Sequence, residues 1–431
     1  MTETVLLVGG GGREHAIARA LADDCALYAC ASNRNPGIAS LAAAVETLDE
    51  NDPAAVVAYA DEVDADLAVV GPESPLAAGV VDALEDAGVY AFGPRAAEAR
   101  IETDKQFQRA FMAEHDVPGT PWFETFDDAE AAAEYVESLA EDGEDAAVKP
   151  AGLTGGKGVR VTGDQVTHAE AAAYVRESGH NEWVVEERLV GEEFTVQAFV
   201  ADGDVRPTLA VQDHKRAFEG DEGPNTGGMG SYSDTGAALP FMTESDYEAA
   251  VDIIDATVDA LDGYRGVLYG QFMLTADGPK VVEFNARFGD PEAMNTLSVL
   301  DTPFIDVLTA ARDGDGLPEL AFSGEATVCK YAVPDGYPTD PEAGAEVTID
   351  ESSVGDALLF YASVDARADG VYTTTSRSLA VVGRGDSITE AEKQAEAALD
   401  GLGSGFRVRH DVGKPALVQR RIDHVADLRD D

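Results

Sequence analysis

The chain has 431 residues, enough for two or three domains with substantial cores, and its 45% hydrophobic content is typical of a globular protein. Its 82 acidic residues against 30 basic ones give a net charge of -52, which excludes the basic surface that binding to nucleic-acid phosphates requires. The acids are spread over every region, so we expect a halophilic protein whose surface repulsion is screened by concentrated salt.

The cysteines and the apolar runs indicate the compartment. Cys25, Cys30 and Cys329 form neither a metal-binding CxxC pair nor an even disulfide set, which predicts a reducing, cytoplasmic setting. The N-terminus has no basic segment before its short apolar run, so we expect no signal peptide. No apolar run approaches the roughly 20 residues of a membrane span, so we expect no membrane partner.

Residues 1 to about 100 alternate predicted strands (5–8, 27–31, 67–70, 89–92) and helices (14–22, 52–62, 75–87), the pattern of a parallel sheet covered by helices. Residues 9–12 are all glycine and lie between the first strand and helix, where backbone N–H groups can bind an anion. A dinucleotide-binding Rossmann motif fits less well, because Glu14 takes the place of its third glycine or alanine. Tight turns alone are a further interpretation of these glycines.

Residues 101 to about 195 contain three lysines that are candidates for a site, two of them close to glycines. Lys105 opens a predicted amphipathic helix that ends near Asp116 and, taken alone, is an ordinary solvated residue. Lys149 ends a predicted strand and Lys157 lies in a glycine-rich hairpin loop, where close backbone approach suits nucleotide phosphates. The loop is not a Walker A motif, because Gly158 follows Lys157. A mobile surface hairpin is the alternative.

Residues 194–200 and 205–211 are predicted to pair as antiparallel strands. The loop 212–230 that follows is polar and glycine-rich, the composition of a binding loop. His214, taken alone, is more typical of a structural histidine. A helix over about 243–261 leads to a strand at 266–274, which we expect to pair with the strand that precedes Asn285.

Residues 281–292 carry the densest group of candidate ligands. Period-2 alternation places Glu283 and Asn285 on one face of a strand, with Val282 and Phe284 on the other. Carboxylate and amide oxygens suit Mg²⁺, and Gln271 can add a third. Arg287, on the same face, can clamp a phosphoryl or carboxylate group. A strand end with a solvated acid and a surface arginine is the plainer interpretation.

From about residue 325, short strands and a helix over 388–398 predict a small α+β unit without obvious chemistry.

The segment 283–292, Glu-Phe-Asn-Ala-Arg-Phe-Gly-Asp-Pro-Glu, closely resembles the metal-binding strand and turn of the phosphoribosylamine–glycine ligase family, ATP-grasp enzymes of purine biosynthesis. The segments 11–15 with 71–73, 149–158, 183–193, and 212–216 with 223–230 also match that family, so the resemblance spans the chain. Pro150 and Ala151 depart from it, because the family more often has Ala-Asp there.

The resemblance implies a mixed α/β and α+β fold in three parts. These are a parallel-sheet N-terminal domain over residues 1–100, a two-subdomain ATP-grasp domain over 101–325 with a mobile lid at about 120–192, and a small α+β C-terminal domain over 326–431. It implies ligation of glycine to 5-phosphoribosylamine with ATP and Mg²⁺ or Mn²⁺, through glycyl phosphate, in a monomer or weak dimer. Another ATP-grasp carboxylate–amine ligase and a non-catalytic nucleotide-binding protein are the alternatives.

The resemblance also assigns roles to individual residues. The catalytic residues are Arg287, Lys215 and Asp213. The nucleotide contacts are Lys105, Lys149, Lys157, Gly155, Gly156, Glu186, Leu189 and Glu193. The substrate contacts are Gly11, Gly12, Glu14, Pro72, Glu73, Asp213, His214, Lys215, Asn225, Thr226, Gly227, Gly228, Arg287, Gly289, Asp290 and Pro291. The metal ligands are Gln271, Glu283 and Asn285.

Overall fold

A computed structural model describes residues 2–152 and 158–430 of the chain. Within these two ranges, no helix is both long and apolar enough to cross a membrane. The predicted nucleotide contacts Gly155, Gly156 and Lys157 lie outside the described residues.

The N-terminal residues form a five-stranded parallel sheet in the order β3-β2-β1-β4-β5. Its elements are β1 (Thr4–Val8), α1 (Gly12–Leu21), β2 (Ala26–Ala31), α2 (Pro36–Leu41), β3 (Ala44–Thr47), α3 (Pro53–Glu62), β4 (Leu67–Val70), α4 (Glu73–Ala77), α5 (Val80–Asp86), β5 (Tyr90–Phe92) and α6 (Ala96–Thr103). Residues 5–8 of the central strand are fully buried, as an unbroken apolar run in a doubly covered parallel sheet requires. The predicted parallel sheet is confirmed.

Two details of this sheet differ from the sequence prediction. The predicted helix 75–87 is two helices, because Gly79 between α4 and α5 has a φ of +81° that interrupts the helical backbone. The short helix α2 and the edge strand β3 were not predicted, since β3 is mostly exposed and lacks the apolar alternation of a buried strand.

The next residues build a four-stranded antiparallel sheet in the order β6-β9-β7-β8. Its elements are α7 (Lys105–Glu114), β6 (Phe123–Phe126), α8 (Ala129–Asp142), β7 (Ala146–Pro150), β8 (Arg160–Val161), α9 (His168–Glu177) and β9 (Trp183–Glu187). Helices α8 and α9 pack on this sheet around the buried side chains of Val136, Val148 and Trp183, in a hydrophobic cluster of their own. Strand β9 is central, so Glu186 near its end is buried.

Strands β11, β10, β16 and β17 form, in this order, a second antiparallel sheet. Residues 192–313 contribute β10 (Glu192–Ala201), β11 (Asp204–Pro207), β12 (Gln212–Asp213), β13 (Arg216–Phe218), β14 (Glu222–Asn225), β15 (Gly230–Ser233), α10 (Glu244–Ala260), β16 (Gly266–Thr275), β17 (Gly278–Asn285), α11 (Glu292–Ser298) and α12 (Phe304–Asp313). The predicted strand 205–211 is regular only to Pro207, which has no N–H for the ladder. The predicted loop 212–230 contains three short strands and the start of a fourth.

The C-terminal residues form a sheet in the order β12-β15-β18-β22-β19, with β23 beside β18. The new elements are β18 (Ala326–Pro334), β19 (Leu358–Tyr361), β20 (Val364–Arg367), β21 (Gly370–Thr373), β22 (Leu379–Gly385), α13 (Ile388–Ala398), β23 (Phe406–Val408) and α14 (Pro415–Asp430). Helix α13 has the predicted bounds, whereas α14 was not predicted. Because β15 pairs with β18, the glycine-rich segment 212–233 is built into the C-terminal sheet.

Candidate active site

A β-bulge shapes the strand that carries the predicted metal ligands. Gln271 lies opposite Glu283 while Phe272 lies opposite Val281, so Val282 is an extra residue in β17. As a result Val281, rather than the predicted Val282, lies with Phe284 in the hydrophobic core. The Val282 carbonyl instead accepts hydrogen bonds from side chains of the preceding subdomain, while Glu283 lies half-buried beyond it.

A buried ion-pair triad lies against this bulge. The Glu186 carboxylate contacts Lys149 Nζ and accepts a 2.7 Å hydrogen bond from Arg109 Nε. Lys149 Nζ and Arg109 Nη2 also donate to the Val282 carbonyl, at 3.2 and 2.7 Å. Burial raises the pKa of Glu186, but Arg109 and Lys149 outweigh burial and leave that pKa below its ordinary value. The triad therefore holds the predicted nucleotide lysine beside the metal-ligand strand.

A second polar chain joins three predicted site residues. Lys215 Nζ donates to Gln271 Oε1 at 2.8 Å, and Gln271 Nε2 donates to Glu193 Oε2 at 2.7 Å. Burial lowers the pKa of Lys215, but Glu283 and other carboxylates outweigh burial and raise that pKa above its ordinary value. Lys215 is therefore a cation at neutral pH.

Glu283 has the character of a ligand for a hard cation. Burial raises its pKa, but nearby ammonium groups, that of Lys215 most strongly, outweigh burial and lower the pKa to about 2. Within the described residues its carboxylate makes no hydrogen bond or ion pair. The other two predicted ligands have partners, since Gln271 Oε1 accepts from Lys215 and Asn285 Oδ1 accepts from Arg287 at 3.4 Å. An ionised, half-buried carboxylate whose oxygens accept no hydrogen bond among the described residues fits Mg²⁺ or Mn²⁺.

Arg287 lies between two carboxylates of the N-terminal unit. Its guanidinium is 2.7 Å from Glu102 and 3.5 Å from Glu73. Burial lowers the pKa of Arg287, but these carboxylates outweigh it and raise that pKa, so the residue is a fixed cation. Burial raises the pKa of Glu73, but Arg287 and Arg13 lower it to about 2.

Sequence reasoning missed Glu102, at the end of α6. Its second oxygen accepts the backbone N–H of Ala286 at 2.7 Å, so it fixes both Arg287 and the chain just before it. Glu102 is 5% exposed. A buried glutamate inside a strongly acidic sequence gives no local signal, because its neighbours in sequence resemble those of a solvated acid.

The glycine-rich turn after β1 meets the turn after β4. Glu14 is buried, accepts the N–H of Gly11 at 2.7 Å and lies beneath Gly71, so it fills the space left by these glycines. Gly9 has a φ of +119°, and a Cβ there would lie 2.8 Å from the Pro72 ring. Arg13 donates to the Phe288 carbonyl at 3.0 Å, which joins this turn to the loop after Arg287. The predicted contacts Gly11, Gly12, Glu14, Pro72 and Glu73 therefore come together.

The segment 213–228 forms the opposite side of the same region. Gly228 has a φ of +114°, and a Cβ there would lie 2.7 Å from both Asp213 Oδ1 and Pro291 Cδ. Thr226 Oγ1 donates to the Lys215 carbonyl at 2.8 Å and accepts the Gly228 N–H at 3.0 Å, which fixes the turn. Burial, followed by Glu292, raises the pKa of Asp213 well above its ordinary value.

The C-terminal unit, whose sequence shows no obvious chemistry, contributes two side chains to this region. Arg377 donates to the carbonyls of Gly227 and Asp290 at 2.6 and 2.9 Å and lies 3.3 Å from the Asp290 carboxylate. The Tyr331 hydroxyl donates to Asp290 Oδ1 at 2.6 Å and lies close to Gly12. Side chains from all three units therefore lie beside the predicted substrate contacts.

Other predicted contacts have mainly protein neighbours, although the buried Nε2 of His214 has no hydrogen-bond partner among the described residues. His214 packs against the Tyr232 ring, and burial, followed by Arg421, lowers its pKa to about 3, so it is neutral. The Gly289 N–H is donated to Gln197 at 2.7 Å. Lys105 Nζ donates to the Gly152 carbonyl at 3.3 Å. Leu189 lies half-buried in the connection between β9 and β10, and Asn225 pairs with Arg216. Their predicted roles stay predictions.

Comparison with known proteins assigns the whole chain to one group. Family models of the phosphoribosylglycinamide synthetase N domain, ATP-grasp (A) domain and C domain match residues 3–102, 103–293 and 327–415. Curated phosphoribosylamine–glycine ligases of Methanosarcina barkeri and Methanococcoides burtonii are 51% and 52% identical to the chain, over 99% of each sequence. The crystal structure of phosphoribosylamine–glycine ligase from Thermotoga maritima superposes with a TM-score of 0.79 at 25% identity, covering 95% of this chain and 99% of that one.

Proposed function

The chain belongs to the phosphoribosylglycinamide synthetase family, and from this we infer that it is an ATP-dependent ligase that joins glycine to 5-phosphoribosylamine. The products are glycinamide ribonucleotide, ADP and phosphate, in purine biosynthesis. The observation that carries this conclusion is the identity of about half of all positions with curated phosphoribosylamine–glycine ligases over 99% of both sequences. The match to the family's ATP-grasp (A) domain over residues 103–293 includes the glycine-rich segment 212–230.

The reaction proceeds in two displacements. The glycine carboxylate attacks the γ-phosphorus of ATP and ADP leaves, which gives glycyl phosphate; the amine of phosphoribosylamine then attacks the glycyl carbonyl and phosphate leaves. Both steps depend on holding reactants in position and on neutralising phosphate charge. Lys215 supplies positive charge on the nucleotide side, together with Lys149, whose pKa burial lowers and Glu186 partly restores. Arg287, held by Glu102 and Glu73, supplies it on the side of the N-terminal glycines.

Glu283 is the metal ligand that the structure supports best, with Asn285 and Gln271 as the further oxygen donors. Within the described residues, its ionised carboxylate makes no hydrogen bond or ion pair, and its charge is stabilised by nearby cations, Lys215 most strongly. Bound there, Mg²⁺ or Mn²⁺ would neutralise charge on the phosphates of ATP. The amide oxygens of Gln271 and Asn285 each accept one hydrogen bond, from Lys215 and Arg287, and each keeps a second lone pair for the metal.

Phosphoribosylamine and glycine are proposed to bind where the three units meet. The start of α1 lies in this region, with Gly12 close to Tyr331, and helix N-termini carry unsatisfied N–H donors that suit a phosphate. The turn at Gly228, Asp290 and Pro291 forms the opposite wall. Arg377 fixes that wall through the Asp290 carboxylate and carbonyl.

We also propose the domain division 1–100, 101–325 and 326–431, with the sheet of β6 to β9 as the lid over the nucleotide. The separate hydrophobic cluster of that sheet supports its independent movement. A cytoplasmic location and a monomer or weak dimer complete the proposal.

The test is an ADP-release assay with freshly made phosphoribosylamine, in which ATP, glycine, phosphoribosylamine and Mg²⁺ are omitted in turn. We expect ADP release only when all four are present. Release without glycine would indicate a different ATP-grasp ligase, and ATP binding without any turnover would indicate a non-catalytic nucleotide-binding protein.

A further inference from the structure

Helix α14 carries three arginines and begins at Pro415, where the match to the family's C domain ends. Leu417 and Val425 bury its apolar side. The chain has 82 acidic and only 30 basic residues, so this helix holds more than its share of the arginines. All three arginines of the helix, and His424, contact carboxylates on other elements: Arg420, Arg421, His424 and Arg429.

Arg421 joins two segments that are far apart in sequence. Its Nε lies 3.2 Å from Glu192 Oε2 and its Nη2 contacts Asp221 Oδ2. Its side chain is 16% exposed, and Glu192 is buried. Asp221 has a left-handed backbone with a φ of +63°, a conformation that aspartate adopts more readily than most residues. Arg409 and Arg420 contact the same carboxylate, so three guanidinium groups hold this residue.

The two carboxylates that Arg421 joins are adjacent to candidate site residues. Glu192 precedes Glu193, and its Oε2 also accepts from Gln212 Nε2 at 3.4 Å. Gln212 Nε2 donates to the Glu193 carbonyl at 3.0 Å. Asp221 lies at the tip of the hairpin of β13 and β14, which begins directly after Lys215.

These contacts form two parallel links between the same two segments. On the site side, Gln271 connects Lys215 to Glu193 through hydrogen bonds of 2.8 and 2.7 Å. Behind it, Arg421 connects Asp221 to Glu192. We propose that Arg421 is a positioning residue, which fixes the hairpin 216–225 against the start of β10 so that Lys215 and Glu193 keep their places at Gln271. The role of Lys215 and Glu193 in catalysis rests on the proposed function, whereas the bracing of the two segments does not.

The test compares Arg421→Gln with Arg429→Gln on the full-length protein. Arg429 lies on the same helix and forms one ion pair, 2.6 Å long, with Asp246 on α10, so its loss measures the effect of weakening the helix alone. A groove of about 560 Å³ bordered by Glu192, Arg420 and His424 gives solvent access to the new glutamine. Arg421→Lys keeps the charge but cannot contact both carboxylates with a rigid fork.

We expect Arg421→Gln to lower kcat about tenfold, the size typical of residues that act through others, with ATP affinity changed much less. Hydrogen exchange should quicken in residues 216–225 and at the start of β10. Arg429→Gln should keep kcat within about twofold at a similar loss of melting temperature. Arg421→Lys should fold like the wild type, with a kcat between those of Arg421→Gln and Arg429→Gln. This variant keeps the test valid if Arg421→Gln unfolds.

Equal kcat values for Arg421→Gln and Arg429→Gln, or faster exchange spread evenly over the protein, would overturn the proposal and leave Arg421 with a structural role only. The wild-type protein separates the two hypotheses. If it releases no ADP with the full substrate set, the proposed function fails, while the exchange comparison still decides whether Arg421 braces the hairpin.

Discussion

The triad of Arg109, Lys149 and Glu186 allows a prediction about the lid. Glu186→Gln keeps the shape of the side chain and removes the negative charge between two buried cations. Arg109 and Glu186 are each 2% exposed and Lys149 is 7% exposed, so water cannot replace the lost carboxylate. Removing one partner of a buried ion pair costs about 3–5 kcal/mol, because the remaining charge is left uncompensated.

Hydrogen exchange suits this measurement, because a chain of several units need not unfold in one step. A loss of 3–5 kcal/mol corresponds to exchange roughly 100-fold or more faster for amides of β7 and β9. The matched control is Glu187→Gln, next on the same strand, which forms an ion pair with Lys280 in which the two side chains are 27% and 30% exposed. We expect at most about 1 kcal/mol from that change.

The pH dependence of the effect has a definite sign. The folded-state pKa of Glu186 is below its ordinary value. Its charge therefore stabilises the fold in full at any pH above the ordinary pKa of a glutamate. This contribution is lost as pH falls through the lowered pKa. The difference between wild type and Glu186→Gln should therefore narrow in acid. Equal exchange rates for Glu186→Gln and Glu187→Gln at neutral pH would refute the reasoning.

Three further changes test the site and the surface. Glu283→Gln should abolish magnesium-dependent turnover and lower the melting temperature much less, because the carboxylate makes no hydrogen bond or ion pair among the described residues and loses only its longer-range attraction to Lys215 and other cations. Arg287→Lys should lower turnover roughly 100-fold while ATP affinity survives, because lysine keeps the charge without the fork that spans Glu102 and Glu73. The melting temperature should be higher in molar KCl than at about 0.1 M, because salt screens the repulsion within a chain of net charge -52.

Each of these outcomes can fail separately. Unchanged magnesium dependence in Glu283→Gln would move the metal site elsewhere. Loss of ATP binding in step with turnover in Arg287→Lys would make Arg287 part of the nucleotide site. A melting temperature that is the same at both salt concentrations would refute the halophilic interpretation.

The sequence alone was enough to predict the parallel sheet, the hairpin of β16 and β17, the helix α13 and the family. These features depend on residues near one another in the chain: apolar periodicity, turn residues and contiguous motifs such as 283–292. The bulge at Val282 lay beyond such reasoning, because strict alternation assumes that no residue is inserted in the ladder.

The tertiary structure decided which charges neutralise which. Arg109 pairs with Glu186 across 77 residues, and Arg421 pairs with Asp221 across 200. The Glu102 carboxylate also accepts the backbone N–H of Ala286 across 184 residues. In a chain with 82 acids, the sequence offers each cation many equivalent partners, and burial in the folded molecule selects among them. A charge removed from water must be paired or hydrogen-bonded. The tertiary structure therefore decides which partner each buried charge has, whereas the motifs beside these charges can be read from the sequence.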